Sequence, residues 1–180
     1  MIETARLRLR NWRDYDLAPL AAMCADPEVM RHLDGPIGES EAAAGMQRLQ
    51  AAADRDGLTF WAVERRADGA CMGFCGVRSG GCPGTSVADE LEIGWRLARP
   101  FWRRGYAEEA ARAALAHGWA VTDRARLSAW TVPANVPSWS LMRKIGMVAR
   151  PDLDFDHPQF PKDHPLSRHV VYTIDRPHGR

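Results

Sequence analysis

The 180-residue sequence predicts a mixed α/β domain in which helices pack against a central sheet. Segments with apolar residues at every second position alternate with segments of helical periodicity. Three of the strand-like segments are consecutive, and a later strand, loop, helix and strand imply a right-handed parallel crossover. A chain of this length forms one core and has little room for a second. We therefore expect one domain over residues 1–180.

The N-terminal part predicts a strand followed by three helices. Arginine alternates with apolar residues over 6–12, which is typical of a half-buried strand. Asp14 is predicted to cap a helix of about ten residues. Asp26 and Pro27 restart a short helix that ends near Leu33, and Ser40 begins another over 40–53.

The middle of the chain predicts an antiparallel meander. Two apolar segments, 59–64 and 71–78, are separated by Ala67-Asp68-Gly69, which indicates a β-hairpin. A third strand is predicted over 89–97. The meander therefore delivers the chain into the loop that follows residue 97.

That loop, residues 99–107, is rich in arginine and is followed by an alanine-rich helical segment. The first N–H groups of a helix have no partner within it and lie at the positive end of its dipole, so the loop predicts a phosphate site. The signatures GxxxxGK[ST] and GxGxxG are absent, because the loop contains only Gly105. Both a P-loop and a dinucleotide-binding loop are therefore excluded.

The C-terminal part completes the sheet. A strand is predicted over 126–132, followed by a helix that Asn135 caps and Gly146 ends. Two last strands, 147–149 and 168–174, are joined by a loop rich in proline and histidine over 151–165.

Composition excludes several classes of partner. A net charge of +1 gives no general case for nucleic acid or an anionic membrane. No charged region followed by an apolar stretch occurs at the N-terminus, so we expect no leader segment, and there is no apolar segment of about 18 residues. The four cysteines lack CxxC spacing, which favours reduced thiols over a zinc site. His157, His164 and His169 also match no zinc spacing. We expect a soluble cytoplasmic protein without a metal.

Four short motifs occur in order along the chain: LRLR at 7–10, EIGW at 92–95, WRRGYA at 102–107, and NVPS at 135–138 with LMRKIGM at 141–147. Together they resemble the GNAT N-acetyltransferases, and within these the RimJ/RimL-like branch. The third corresponds to the acetyl-CoA loop [Q/R]-x-x-G-x-[G/A]. The chain departs from this pattern at Trp102, and Arg103 stands where a second glycine often occurs.

The resemblance implies a GNAT fold with a mixed, mostly antiparallel sheet of about six to seven strands and helices on both faces. Strands 4 and 5 of that sheet are expected to splay apart, and acetyl-CoA, as co-substrate, to lie in the cleft. The implied cofactor-binding residues are Trp95, Arg96, Leu97, Arg103, Arg104, Gly105, Tyr106, Ala107, Glu108, Asn135 and Ser138. Trp102 and Trp139 are expected near the same cofactor.

The implied catalytic residues are Glu92 and Ser138. An amine must lose a proton to attack a thioester, so a nearby carboxylate is a candidate general base. Glu90 lies two residues away on the same strand face, and repulsion between two carboxylates raises the pKa of one. The base is thus Glu92, Glu90 or a water. Ser138 is a general acid for the thiolate or only a cofactor contact.

The expected activity is transfer of acetyl from acetyl-CoA to a primary amine by direct attack in a ternary complex. Two alternatives stay open: a protein N-terminal acetyltransferase, such as one acting on a ribosomal protein, and a non-catalytic CoA-binding or sensor module. The acceptor is a small amine or a protein N-terminus, and segments 26–53 and 151–165 are its expected walls. Both a monomer and a homodimer stay open.

Overall fold

A computed structural model describes residues 1–177, which form nine strands. Their order in the sheet is β1-β2-β3-β4-β5-β6-β9-β7, with β8 paired to β9. Every pair is antiparallel except β5 with β6. The strands are β1 Ile2–Glu3, β2 Leu7–Arg10, β3 Thr59–Arg65, β4 Cys71–Arg78, β5 Leu91–Leu97, β6 Arg126–Thr131, β7 Val148–Ala149, β8 Phe155–Asp156 and β9 Arg168–Asp175.

Helices cover both faces of this sheet, as the resemblance implies. One face packs against α4 and α5 through the main core, which contains Ile93, Ala111 and Met142. The other face packs against α1 and α3 through a second cluster. The helices are α1 Leu17–Cys24, α2 Pro27–Met30, α3 Glu39–Asp56, α4 Tyr106–Val121 and α5 Val136–Lys144.

The sheet opens between β5 and β6. These parallel strands pair only at Leu91 with Leu127 and at Glu92 with Ser128. Beyond Glu92, β5 continues to Leu97 without a partner on that side in the part of the chain that the structure describes. This opening confirms the splay predicted between strands 4 and 5, which are β5 and β6 here because the unpredicted β1 adds one to the numbering. The opening leaves a cleft along the C-terminal half of β5.

The predicted meander is confirmed as β3, β4 and β5, and the parallel crossover as β5, α4 and β6. The two-residue strands β1 and β8 were not predicted. Both pair with longer neighbours, β1 with β2 and β8 with β9. A two-residue strand is too short to show an alternating pattern.

The starts of three helical segments differ from the predictions. Asp14 lies inside a 3-10 turn over Asp14–Asp16, and the Asp16 carboxylate accepts the Arg13 N–H at 2.9 Å. The helix predicted to begin at Ser40 is α3, which begins one residue earlier, at Glu39, and has no side-chain cap. Asn135 precedes α5, but its side-chain amide donates to the Thr131 hydroxyl at 2.9 Å.

A buried ion network fixes β2 to β3 and to the start of the first helical segment. Arg10, which is 3% exposed, donates to both carboxylate oxygens of the fully buried Asp16 at 2.6 and 2.9 Å. It also donates to Glu64 at 2.7 Å. The predicted strand 6–12 therefore has a buried arginine, Arg10, in addition to the arginines on its exposed face.

No helix within residues 1–177 has the length and apolar character needed to cross a membrane.

Candidate active site

The loop between β5 and α4 turns through two left-handed residues. Gly105, at the N-cap of α4, has φ +79° and Arg103 has φ +57°. Left-handed backbone costs a non-glycine residue about 1–2 kcal/mol. Arg103 thus has the left-handed backbone that a glycine would adopt without this cost. The loop therefore turns here even though arginine stands where the motif often has a second glycine.

This turn leaves a row of backbone donors free. The N–H groups of residues 103 to 108 donate no hydrogen bond within the described chain, and the first helical bond runs from Glu109 N to Gly105 O at 3.1 Å. Free N–H groups at a helix start bind anions. The residues concerned are Arg103, Arg104, Gly105, Tyr106, Ala107 and Glu108.

The loop is held against the N-terminal strands by Arg6. Its guanidinium stacks on the Tyr106 ring at 4.6 Å, donates to the Arg104 carbonyl at 3.1 Å and pairs with Glu109 at 2.6 Å. Trp102 anchors the other end, because its Nε1 donates to the Leu97 carbonyl at 2.6 Å. The sequence did not indicate either contact.

The charge around the loop suits a pyrophosphate. Arg103 and Arg104 are exposed, and neither has a carboxylate within 4.0 Å among the described residues. Arg99 lies 3.5 Å from Asp26. Two uncommitted guanidinium groups beside free N–H groups fit the anionic end of acetyl-CoA.

The strand part of the predicted cofactor site lies along the open cleft. Leu97 is buried in the main core, and Trp95 is partly buried against the same core, on the face of α4. Arg96 faces the opposite side, towards α1 and α2. Trp95 and Leu97 thus present backbone rather than side chain to the cleft. Trp139 also packs against the main core, while Trp102 is partly exposed.

Glu92 stands where the cleft begins. Arg78, its partner across β4 and β5, donates to Oε2 through Nε at 2.7 Å and through Nη2 at 2.5 Å. Oε1 accepts no hydrogen bond within residues 1–177. Burial raises the pKa of Glu92, and the attraction of Arg78 only partly opposes this. One oxygen is fixed and the other is free to accept a proton.

The Glu90 carboxylate already binds two other side chains. It pairs with Arg126 and accepts the Ser128 hydroxyl at 2.9 Å. Burial alone would raise the pKa of Glu90, but Arg126 and Ser128 hold it below its ordinary value. The pKa of Glu92 is therefore raised by burial, not by repulsion from Glu90 as the sequence suggested.

Asn135 and Ser138 lie at the start of α5, after the end of β6 that pairs with β9 but not with β5. The Asn135 carbonyl accepts the N–H of Ser138 at 3.1 Å, which closes the first turn. Ser138 is half-buried, and its hydroxyl has no hydrogen-bond partner in the described part of the chain. The structure brings both residues to the β6 side of the cleft that Glu92 begins.

A row of aromatic rings and guanidinium groups lies beside Glu92, and the sequence did not indicate it. The rings of Phe60 and Phe74 are stacked at 5.5 Å. Arg78 lies over Phe60 at 5.2 Å and Arg96 over Phe74 at 5.1 Å. We call these four residues the aromatic strip. A Cβ at Gly94 would lie 2.7 Å from the Phe60 ring, so the glycine makes room for the strip.

The cysteines and histidines form no second centre. All four cysteines are free thiols, and burial raises the pKa of Cys71 to about 11 and also raises those of Cys75 and Cys82. These groups are poor nucleophiles at neutral pH. His157 and His169 pack against Phe155, and burial lowers both pKa values. No group of three metal-ligating side chains occurs within residues 1–177.

Two surface cavities lie at the other end of β5. One, of about 480 Å³, is lined by Leu58, Leu91 and Thr122 among others. The second, of about 310 Å³, is lined by residues that include Glu90 and Arg126. Both flank the N-terminal end of β5, whereas the loop with the free N–H groups of residues 103–108, which we call the anion-binding loop, follows its C-terminal end. Glu90 thus lies at the end of β5 opposite to the loop.

Several known proteins are similar to this chain in sequence or in fold. An uncharacterized protein of Bacillus subtilis, YkkB, is 32% identical over 145 residues, covering 80% of this chain and 83% of the relative. A GNAT acetyltransferase structure from Bacillus anthracis superposes with a TM-score of 0.78 at 24% identity, covering 97% of each chain. The structure of RimL, a ribosomal L7/L12 α-N-protein acetyltransferase in complex with coenzyme A, superposes with a TM-score of 0.76 at 14% identity, covering 96% of this chain and 95% of RimL.

The family assignment follows from the sequence itself. Residues 6–148 match the family described as the acetyltransferase (GNAT) domain, and this segment spans the anion-binding loop, the cleft, Glu92 and α5. The chain therefore belongs to the GNAT acetyltransferases, acyltransferases that use acetyl-CoA as co-substrate.

Proposed function

We propose that this protein is an N-acetyltransferase that moves acetyl from acetyl-CoA to a primary amine by direct attack in a ternary complex. One observation carries the proposal: the pairing of β5 with β6 ends at Glu92, so a half-buried carboxylate with a free oxygen stands where the cleft opens. In this proposal residues 1–180 act as one domain.

The loop and the cleft would hold the co-substrate. The N–H groups of residues 103–108, with Arg103 and Arg104, would bind the pyrophosphate. The backbone of Trp95, Arg96 and Leu97 would bond the pantetheine arm where β5 has no partner strand. Asn135 and Ser138 would contact it from α5. A backbone N–H of β5 would stabilise the negative charge that develops on the acetyl oxygen.

Glu92 would act as the general base. The amine nitrogen bonds to the acetyl carbon as the carbon–sulfur bond breaks, and coenzyme A leaves as a thiolate. The amine proton passes to Glu92 Oε1, directly or through one water. Ser138 would give its proton to the thiolate, although a thiolate leaves readily without one. Glu90 is the second candidate base, but its bonds to Arg126 and Ser128 favour Glu92.

The direct test is a screen of amines and peptides with acetyl-CoA, read as release of free thiol. We expect turnover of at least one amine, with initial-rate plots that intersect when both substrates are varied. Parallel plots would indicate a covalent acetyl-enzyme and contradict direct attack. Turnover of no amine or peptide would favour the non-catalytic CoA-binding or sensor module.

We propose a small amine as the acceptor. The two expected walls are joined, because Gln159 Nε2 in the late loop donates to Asp34 Oδ2 in the segment after α2 at 3.2 Å. A bridge between the walls favours an enclosed site. The alternative, a protein N-terminus, is supported by the fold shared with RimL, a ribosomal-protein acetyltransferase. Such an acceptor would also be a reason to place the chain in the RimJ/RimL-like branch.

Peptides in the same screen separate these acceptors. Faster acetylation of a ribosomal-protein N-terminal peptide than of any small amine would favour the protein acceptor. We further propose that the enzyme works in the cytoplasm, because all four cysteines are free thiols.

A further inference from the structure

Arg96 is a cation without an anionic partner. Its Nη1 faces two sulfur atoms, Sδ of Met30 at 3.4 Å and Sγ of Cys24 at 3.8 Å. Sulfur is a weak hydrogen-bond acceptor. No carboxylate lies within 4.0 Å of this half-buried guanidinium among residues 1–177, whereas Arg10, a fully buried arginine of the same sheet, binds two carboxylates.

The position of Arg96 connects it to the proposed chemistry. It lies four residues beyond Glu92 on β5, and both side chains face the α1 and α3 side of the sheet. The distance along the strand is about 13 Å between the two Cα atoms. Between them lie the half-buried rings of Phe60 and Phe74. The face therefore has a carboxylate at one end, an apolar floor, and a cation at the other end.

A half-buried guanidinium with unused N–H donors is costly to leave unpaired. The electrostatic attraction is strongest for a carboxylate, which the planar guanidinium binds through two parallel hydrogen bonds. Burial also lowers the pKa of Arg96, as expected for a cation that lacks a counter-charge. An incoming anion would supply that counter-charge.

We infer that the acceptor is a small amine that carries a carboxylate, with its carboxylate bound by Arg96, its apolar part on Phe60 and Phe74, and its amine directed to Glu92. This inference rests on the proposed acetyltransferase activity and specifies the substrate class of the same site. Arg96 would thus use its backbone for the co-substrate and its side chain for the acceptor.

The first test changes the substrate and leaves the protein intact. Amino acids with the amine in the α or ω position are each compared with the corresponding carboxamide, with acetyl-CoA saturating. We expect kcat/KM to be at least tenfold higher for the best acid than for its amide. Equal or faster acetylation of the amides would overturn the inference but leave the acetyltransferase activity in place. Acetylation of neither set would also overturn the inference, and turnover of another amine or of a peptide in the broad screen would then leave the acetyltransferase activity in place.

The second test changes Arg96. In Arg96→Met the acid-to-amide ratio should fall to about one, through a raised KM for the acid, while the KM for acetyl-CoA stays within about twofold. Arg96→Lys keeps a cation and should retain part of the preference. Arg55→Met, at an exposed arginine near the end of α3, is the matched control and should keep the full ratio. An unchanged ratio in Arg96→Met would overturn the assignment of Arg96.

Discussion

At the scale of single residues, the proposed chemistry depends on the two oxygens of Glu92. Arg78 holds Oε2, and Oε1 has no partner within the described chain. We expect Glu92→Gln to lower kcat by about 100-fold or more, because the amide accepts no proton. Acetyl-CoA binding, measured by titration, should change by less than about twofold.

Two variants make this prediction specific. Glu3→Gln alters an exposed carboxylate that pairs with Arg8 and should leave kcat unchanged. Glu90→Gln should cost less than Glu92→Gln, because Glu90 is bound to Arg126 and Ser128. A larger loss in Glu90→Gln would transfer the role of base to Glu90.

Arg78 should set the pH dependence of the reaction. Burial raises the pKa of Glu92, and the Arg78 guanidinium lowers it. The base acts only when deprotonated, so kcat/KM falls as the pH drops through this pKa. Arg78→Met removes the lowering influence, and the acid limb of the profile should therefore move to higher pH. A limb that stays in place or moves to lower pH would exclude Glu92 as the titrating base.

Residue identity alone did not reveal these pairings. The sequence indicated Glu92 as a base through its motif, but Arg78 faces it only because of the register between β4 and β5. The same register places Arg96 beside Phe74. Cross-strand contacts of this kind depend on a pairing that a single sequence does not specify.

At the scale of elements, the loop before α4 depends on left-handed backbone at Gly105. Gly84, in the loop before β5, has the same φ of +79° and serves as a matched control. Alanine at either position should destabilise the fold by about 1 kcal/mol. Only Gly105→Ala should also weaken acetyl-CoA binding, by about tenfold, because the strained turn misaligns the free N–H groups.

Denaturant unfolding and titration with acetyl-CoA distinguish the two effects. A Cβ at Gly105 would lie 3.4 Å from Arg6 Nη2, while one at Gly84 meets nothing within 4 Å. Equal loss of acetyl-CoA affinity in both variants would show that backbone strain anywhere weakens binding. The loop would then have no special role.

Periodicity predicted the main elements, and local chemistry predicted their ends less well. The helix α4 and the strands β3 to β6 lie within a few residues of their expected positions. The short helix predicted to restart at Asp26 and Pro27 is confirmed as α2, and the Asp26 carboxylate accepts the Glu28 N–H at 2.9 Å. The predicted cap at Asp14 failed, and Asn135 forms no side-chain cap although it occupies the N-cap position of α5, because tertiary contacts decided the local bonding. Asn135, for example, bonds Thr131 instead.

At the scale of the whole molecule, one buried ion network joins β2, β3 and the segment before α1. Burial alone would raise the pKa values of Asp16 and Glu64, but Arg10 holds both below their ordinary values. Asp16→Asn leaves Arg10 with a single buried carboxylate partner. We expect it to lower the free energy of unfolding by about 3–5 kcal/mol, measured by urea denaturation.

The same network predicts how stability depends on pH. A carboxyl whose pKa is lowered on folding stabilises the native state above its unfolded pKa, and this contribution is lost as the pH falls through the folded pKa. The wild-type free energy of unfolding should therefore decline below the ordinary values of 4.5 for Glu and 3.8 for Asp. Asp16→Asn should show a shallower decline, and an equally steep one would argue against Asp16 as a source.

The sheet also explains why a strand and loop motif of 16 residues, 92–107, becomes a site only in the whole fold. Its anion-binding loop needs Arg6 from the N-terminus, and its cleft needs β6 to diverge after Ser128. The four motifs predicted the fold class because they follow one another along the chain in the same order as the strands, the loop and the helix that form the site. They did not predict the acceptor side that we propose from Phe60, Phe74 and Arg96.

The measurement that tests the central claim most directly is calorimetric titration with acetyl-CoA of the wild-type protein and of two variants. We predict a wild-type Kd in the micromolar range, an unchanged Kd in Glu92→Gln, and a Kd about tenfold weaker in Gly105→Ala. A wild-type Kd in the millimolar range, or equal weakening in both variants, would contradict the separation of a binding loop from a catalytic carboxylate.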